Sequence, residues 1–311
     1  MQTAPTMYFF GVTTGKSSSA RMFPCWAGIL GLQSAHLVGV DLPINAPPAQ
    51  YRAAVEQIKY DPLSLGALVT THKINVLHAA HDLFDELTPD AELCNEVSCI
   101  YKRDGRLIGH AVDPLTSARA MRQFIPPDYW TRTNADILCF GAGGSAVAIT
   151  THFLTRAAPG ERPRRFVLVN RSPGKLVFIR ELVDGLPPSG IDFEYVENTD
   201  PQVNDRLMAR LPSGSLVINA TGMGKDTPGS PVTDAGWFPK NGLAWELNYR
   251  GELDFLHQAL RQKEARQLHV EDGWYYFLVG WAEIMSMIFD VPITPELFDR
   301  LAESAAAVRS A

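Results

Sequence analysis

The sequence predicts an α/β fold in two domains: an N-terminal α/β domain, then a Rossmann-type domain on a doubly wound parallel sheet, with C-terminal helices returning to the first. Three observations predict it. Short apolar, β-prone runs alternate with helix-compatible stretches along the chain, the pattern of parallel βαβ units. One run, Ile137 to Phe140, passes directly into Gly141-Ala142-Gly143-Gly144-Ser145-Ala146 and then an alanine-rich helical stretch. The residues before 113 alternate in the same way but lack such a turn. The expected division is 1–112, completed by 274–311, and 113–273.

In chain order, Met7 to Thr13 reads as a strand and residues 15–19 as a loop. Ala20 to Leu32 has helical spacing, with Pro24 expected in its first turn, where a missing N–H costs nothing. His36 to Leu42 is a second strand, Gln50 to Lys59 a helix, and Leu63 to Thr71 contains a third strand. Asn75 to Phe84 reads as helix. Glu96 to Tyr101 and Arg106 to His110 read as a hairpin about Asp104-Gly105. Asp113-Pro114 opens a helix over Leu115 to Phe124, and the polar run Thr131 to Asp136 connects to the glycine-turn strand. Ser145 to Arg156 and Lys175 to Gly185 are crossover helices between the strands Ile137–Phe140, Arg165–Val169, Ser215–Ala220 and Gly242–Leu247. Trp274 to Phe289 is an aromatic-rich helix. Pro295 to Ala307 is an amphipathic one, capped by Thr294.

At 311 residues, with 46% hydrophobic and 20% charged content, the chain can bury two ordinary cores. A net charge of −6 offers no electrostatic basis for binding nucleic acid or an anionic membrane. The four cysteines, Cys25, Cys94, Cys99 and Cys139, show no metal-ligand spacing. They read as buried thiols of a reducing cytoplasm, and no metal is expected. Neither a signal pattern nor an apolar run of bilayer length is visible.

The glycine turn carries the first functional signal. Gly141 permits the sharp turn, Gly143 lets backbone approach a pyrophosphate, and Ala146 allows close helix–strand packing. Ala142, Gly144 and Ser145 complete the turn, and the helix N-terminus offers unpaired N–H groups to phosphates. Alone, this pattern also fits an ordinary βα turn. The next strand, however, ends in Asn170-Arg171-Ser172 and Lys175 with no acid to hold a ribose 2′-hydroxyl. Arg171, Lys175 and Ser172 suit a 2′-phosphate, which favours NADP without excluding NAD. Asn219, Ala220, Thr221 and Met223 end a further strand, where a nicotinamide half would lie.

With these pieces in this order, the chain resembles the shikimate/quinate dehydrogenase family over nearly its full length. Ser17 and Ser19 match the family's Ser-x-Ser loop, and Leu68-Val69-Thr70-Thr71-His72-Lys73 its Val-Thr-x-Pro-x-Lys segment. Ser98-Cys99-Ile100 with Gly109 to Asp113 matches Asn-Thr-Leu…Gly-x-Asn-Thr-Asp. The Gly141 turn, Asn170-Arg171-Ser172 and Asn219-Ala220-Thr221 match as well.

The resemblance implies that Lys73 and Asp113 are the catalytic pair. The chemistry is coherent, because a desolvated lysine can carry the proton that accompanies hydride transfer and a carboxylate can position it. Read alone, Lys73 is more readily a surface lysine and Asp113 an N-cap ahead of Pro114. Ser17 and Ser19 are implied to hold a substrate carboxylate, with Lys16 and His72 beside the site. Thr70, Ser98, Tyr249 and Gly280 complete the expected substrate contacts.

Ser98 stands at the family's Asn, Val69 at its Thr, Thr71 at its Pro and Gly280 at its Gln, while Tyr249 keeps the family's Tyr. Tyr276 or Trp281 is a candidate lining side chain, or simply helix core. Loss of the ring-hydroxyl readers points away from shikimate itself and towards a related cyclic hydroxy- or keto-carboxylate. The alternative is a dinucleotide-binding sensor or regulator of the same fold. A homodimer is left open.

Overall fold

The computed structural model describes residues 1–309. It divides into two compact units, Met1–Val112 with the stretch from Gly280 onward, and Asp113–Val279. The helix Trp274–Phe289 runs across that division.

The first unit holds six strands, β1 (Thr6–Gly11), β2 (His36–Asp41), β3 (Ser64–Val69), β4 (Glu86–Leu87), β5 (Cys99–Arg103) and β6 (Arg106–His110). Their spatial order is β2-β1-β3-β5-β6-β4. Strand β1 lies parallel to both β2 and β3, and β5 runs antiparallel to β3 and β6. All six residues of β1 are buried, as its unbroken apolar run requires of a strand covered on both faces. The β5–β6 hairpin closes on Asp104 (φ 52°) and Gly105 (φ 75°), the paired left-handed conformation that matches strand twist.

The first helix spans Ser18–Ile29, beginning earlier than expected because the Ser17 hydroxyl accepts the Ser19 N–H as an N-cap. Pro24 therefore sits inside this helix rather than in its first turn. Pro24 is on the exposed side, so water can serve the carbonyl that its missing N–H leaves open. Cys25 is also exposed, against the expectation of four buried thiols, while Cys94, Cys99 and Cys139 are buried. The opposite face buries Met22, Phe23, Trp26 and Ala27. Trp26 Nε1 donates to the Leu301 carbonyl at 3.0 Å, tying this helix to Pro295–Arg309.

The second unit is a six-stranded, all-parallel sheet of β7 (Ile137–Phe140), β8 (Arg165–Asn170), β9 (Asp192–Glu197), β10 (Leu216–Asn219), β11 (Leu243–Glu246) and β12 (His269–Glu271). Its order is β12-β11-β10-β7-β8-β9. The chain builds outward from β7 through β8 to β9, then returns to the other side of β7 with β10. This is the doubly wound Rossmann order, and its switch point lies between β7 and β10. Leu138, Phe140, Val167, Val217, Phe238 and Phe255 share one core beside the sheet.

Strands β9 and β12 and the helices Pro201–Ala209 and Asp254–Arg266 have no counterpart in the sequence reading. Strand β9, Asp-Phe-Glu-Tyr-Val-Glu, is a half-buried edge carrying acids at Asp192, Glu194 and Glu197. The helix Asp254–Arg266 starts from Leu253 at φ 52°, with no side-chain cap to announce it. Among the described residues, no helix is long and apolar enough to cross a membrane.

Trp281 is 3% exposed and meets the Phe9 ring of β1 edge-on at 5.7 Å, and Tyr276 meets Trp245 in the same way at 5.6 Å. Trp281 is therefore packed as core, whereas Tyr276 is half-buried. Replacing Trp281 with Ala should cost about 3–5 kcal/mol of unfolding free energy, as for other buried aromatics, measurable by chemical denaturation.

Candidate functional site

At the switch point the turns after β7 and β10 press together. Gly141 has φ 109°, and a Cβ placed on it would stand 2.6 Å from the Ala220 carbonyl oxygen. No other residue meets both conditions without displacing backbone. Its N–H donates to the Val169 carbonyl at 2.8 Å, which pins the turn to β8.

Gly143 is the N-cap of the helix Gly144–Thr155 and supplies no side-chain cap bond. A Cβ on Gly143 would meet open space. The first-turn N–H groups thus end at an uncapped cradle with a smooth backbone approach, which fits a diphosphate. Ala142 and Ala146 are buried, whereas Gly144 and Ser145 are half-buried at its edge.

At the end of β8 the Asn170 amide folds onto its own loop, Nδ2 donating to the Ser172 carbonyl at 3.1 Å. Arg171 and Lys175 are exposed, and Ser172 caps the helix Pro173–Asp184 without a side-chain bond. The loop thus presents two cations and a hydroxyl, with no acid at the strand end.

At the end of β10, Asn219 Oδ1 accepts both the N–H and the hydroxyl of Thr221, at 3.1 and 2.6 Å. The Thr221 hydroxyl in turn accepts the Met223 N–H at 3.2 Å. Behind this turn sit Glu246 and Asn248, both buried, which the sequence reading missed. The one signal available was a charged residue inside the apolar run Gly242–Leu247. Tyr249 packs on Phe277, with centroids 4.4 Å apart and planes tilted by 31°, and burial pushes its phenol above the ordinary value. Asp113 is half-buried and opens the helix Asp113–Met121, two residues before the expected start.

In the first unit, Lys73 opens the helix Lys73–Ala80 just past β3, again two residues earlier than expected. Its Nζ lies 3.5 Å from Oε1 of Glu96, a carboxylate only 3% exposed. The Val97 N–H donates to the Lys73 carbonyl at 3.3 Å, so backbone and side chain tie the same two segments. Sequence reading placed Glu96 in a strand and gave it no role.

His72 is 1% exposed, with Nδ1 3.2 Å from the Tyr51 hydroxyl. Its Nε2 has no hydrogen-bond partner among the described residues.

The hydroxyls expected to meet substrate have internal partners. Ser17 donates to Ser19 at 2.8 Å, and Thr70 donates to the Phe10 carbonyl at 3.0 Å. Ser98 accepts the Val112 N–H at 2.8 Å. A Cβ on Gly280 would meet open space. The Lys16 side chain lies outside the described residues. Lys73 and the serines belong to one unit, Asp113 and the glycine turn to the other.

No family model matches the chain. Shikimate dehydrogenase (NADP(+)) of Streptococcus thermophilus is 28% identical over 237 residues, 75% of this chain and 76% of that protein. The enzyme of the same name from Lactococcus lactis is 28% identical over 179 residues, spanning 59% of its length. Shikimate 5-dehydrogenase of Thermus thermophilus, solved with NADP(H) and shikimate, superposes with a TM-score of 0.68 at 21% identity. That superposition covers 96% of this chain and 99% of that one. The chain is thus similar in sequence to shikimate dehydrogenases and shares their fold. The same fold is found in the 5-ketofructose reductase of a Gluconobacter strain, with a TM-score of 0.69, 18% identity and coverage of 96% and 98%.

Gly141→Ala should lose roughly 1–3 kcal/mol of stability from backbone strain alone, before the clash with Ala220 is counted. Gly143→Ala, whose Cβ enters open space, should unfold at nearly the native denaturant concentration.

Proposed function

We propose that the chain is an NADP-dependent oxidoreductase acting on the secondary alcohol or ketone of a cyclic hydroxy-carboxylate related to shikimate or quinate. The observation that carries the reading is Lys73, a half-buried ammonium just past a central strand, held by the buried carboxylate of Glu96. It belongs to a chain whose other unit is a Rossmann sheet with a glycine switch-point turn. The relatives' names point to the same chemistry.

In this reading the Gly141–Ala146 turn and the helix N-terminus hold the pyrophosphate. Asn170, Arg171, Ser172 and Lys175 hold the 2′-phosphate, and Asn219, Ala220, Thr221 and Met223 the nicotinamide half. NADP, when bound, supplies the hydride exchange at the reacting carbon. In the reducing direction the Lys73 ammonium gives a proton to the carbonyl oxygen as its carbon takes the hydride. In the oxidising direction the neutral amine takes that proton back.

Glu96 stands as counter-ion to the ammonium, and Asp113 is assigned to orient the reacting hydroxyl. Ser17 and Ser19 clamp the carboxylate, exchanging their mutual bond for it, with Thr70, Ser98, Tyr249 and the open side of Gly280 shaping the rest. A serine at the family's Asn and a glycine at its Gln support a ring with fewer or differently placed hydroxyls than shikimate. The free thiols fit a cytoplasmic setting.

The second reading, a dinucleotide-binding sensor, draws on Ser98, whose hydroxyl is engaged by the Val112 N–H. NADPH oxidation against a panel of cyclic keto-carboxylates separates the two. Turnover establishes the enzyme, and tight ligand binding without turnover establishes the sensor. Lys73→Ala should lower kcat by about 10²–10⁴ with NADPH affinity unchanged. Arg171→Ala should weaken NADPH by roughly 10- to 100-fold and NADH little, the loss of a charge-assisted bond to the 2′-phosphate.

A further inference from the structure

Glu246, the last residue of β11 and only 1% exposed, is a buried acid to which the reading above gives no task. Its carboxyl oxygens meet amide donors. Oε2 accepts from Asn219 Nδ2 at 2.7 Å, and Oε1 accepts from the N–H and Nδ2 of Asn248 at 2.8 and 2.7 Å. The same two asparagines build the turn after β10. Asn219 turns its oxygen to Thr221, and Asn248 Nδ2 also reaches the carbonyls of Thr221 and Met223, both at 3.2 Å.

An asparagine amide has one donor side and one acceptor side. With its donor side on Glu246, Asn219 must offer its acceptor side to Thr221. A protonated Glu246 would set a donor against donors. Relief comes if the Asn219 amide turns over, and that places an NH2 group against the Thr221 N–H and removes the bonds that shape the turn.

We infer that ionised Glu246 sets the Asn219 amide, and through it the Thr221–Met223 turn, in the form that receives the nicotinamide half, so that protonation of this carboxyl controls dinucleotide affinity. The inference rests on the assignment of Asn219, Ala220, Thr221 and Met223 as cofactor contacts. Glu246 is thus a positioning residue, acting through the two asparagines.

The switch falls in a usable range. Burial pushes the Glu246 carboxyl up to about 7, against the bonds from Asn248 and Asn219 and the attraction of Lys225, which act to lower it. The other charged groups on neighbouring segments are largely paired among themselves. Lys225 Nζ lies 3.0 Å from Asp226, and His269 Nε2 lies 2.6 Å from Glu271 on β12. Asp272 accepts the Trp274 N–H at 2.9 Å, and Arg250 is exposed on the loop beyond Tyr249.

Stability and binding then respond to pH with opposite signs. The folded carboxyl titrates near 7 against an ordinary 4.5, so the fold holds the proton more tightly than the unfolded chain does. Stability therefore falls as pH rises from the ordinary value through about 7. Affinity for the dinucleotide rises across the upper part of that window, which a purely structural role does not produce.

The test is NADPH affinity, read by fluorescence titration at pH 6 and pH 8, in the native chain, Glu246→Gln and Glu246→Asp, with circular dichroism as the check on folding. One unit below the midpoint about a tenth of the sites stay ionised, so native affinity should fall about tenfold at pH 6. Glu246→Gln keeps the two Asn248 donors satisfied only with its oxygen towards Asn248 and its NH2 group towards Asn219, so it should bind weakly at both pH values and lose the native gain in thermal stability on acidification. Glu246→Asp should keep the pH dependence.

Native affinity at pH 8 in a folded Glu246→Gln chain, or a native pH dependence in it, overturns the inference while leaving the dinucleotide reading intact. Should Glu246→Gln not fold, Glu246→Asp decides, and a flat profile there overturns the inference. A native chain that binds NADPH at neither pH removes the dinucleotide reading and this inference together.

Discussion

The constraint on which the second unit depends is the contact between two turns at one sheet edge. The order β9-β8-β7-β10-β11-β12 makes the chain leave β7 on one side and return on the other, so the turns after β7 and β10 must share the same space. They share it because Gly141 has no Cβ and a φ of 109°, letting the Ala220 carbonyl approach closer than any side chain allows. The uncapped helix at Gly144 then points its first N–H groups outward, and the basic loop after β8 lies one strand away. An edge lined by free backbone N–H groups follows from a packing requirement.

Each unit also keeps a buried carboxylate beside the residues that chemistry would use, and the two are solved differently. Glu96 faces an ammonium, so its charge is met by an opposite charge from Lys73. Glu246 faces three amide donors and no direct cation. Hydrogen bonds alone do not fully offset desolvation, which is why Glu246 holds its proton up to about 7. A buried acid of the first kind is a counter-ion. One of the second kind is poised to titrate, and its neighbours must rearrange when it does.

The departures from the family pattern fall unevenly. The switch-point glycines, the basic loop and the Asn219-Ala220-Thr221 segment are kept, whereas Val69, Ser98 and Gly280 are changed. Ser98 shows the consequence in its contacts, its short side chain accepting the Val112 N–H inside the fold. Gly280 leaves open space where a longer side chain would extend. The turn after β7 is built by backbone and admits little change, whereas positions 69, 98 and 280 differ only in side chains, which can be exchanged singly.

Much of the fold was legible along the chain. The run Ile137 to Ala146 specifies strand, turn and helix because apolar β-formers favour the strand, glycine admits the positive φ of the turn, and alanines favour the helix. The same holds for the Asp104-Gly105 hairpin and for the buried run of β1. Edge strand β9 was hidden by its acids, and the Asp254–Arg266 helix by a cap without a side-chain signature. Pro24 was misplaced because local rules set a proline at a helix start, whereas the Ser17 cap moved that start two residues upstream. What tertiary structure alone decided were the partners of buried groups: Glu96 beside Lys73, Asn219 and Asn248 around Glu246, Phe9 against Trp281. These pairings join segments distant in sequence, and the physical reason is plain. Periodicity and turn chemistry act over a few residues, while the desolvation that makes a buried charge or ring seek its partner acts only once the chain has closed around it.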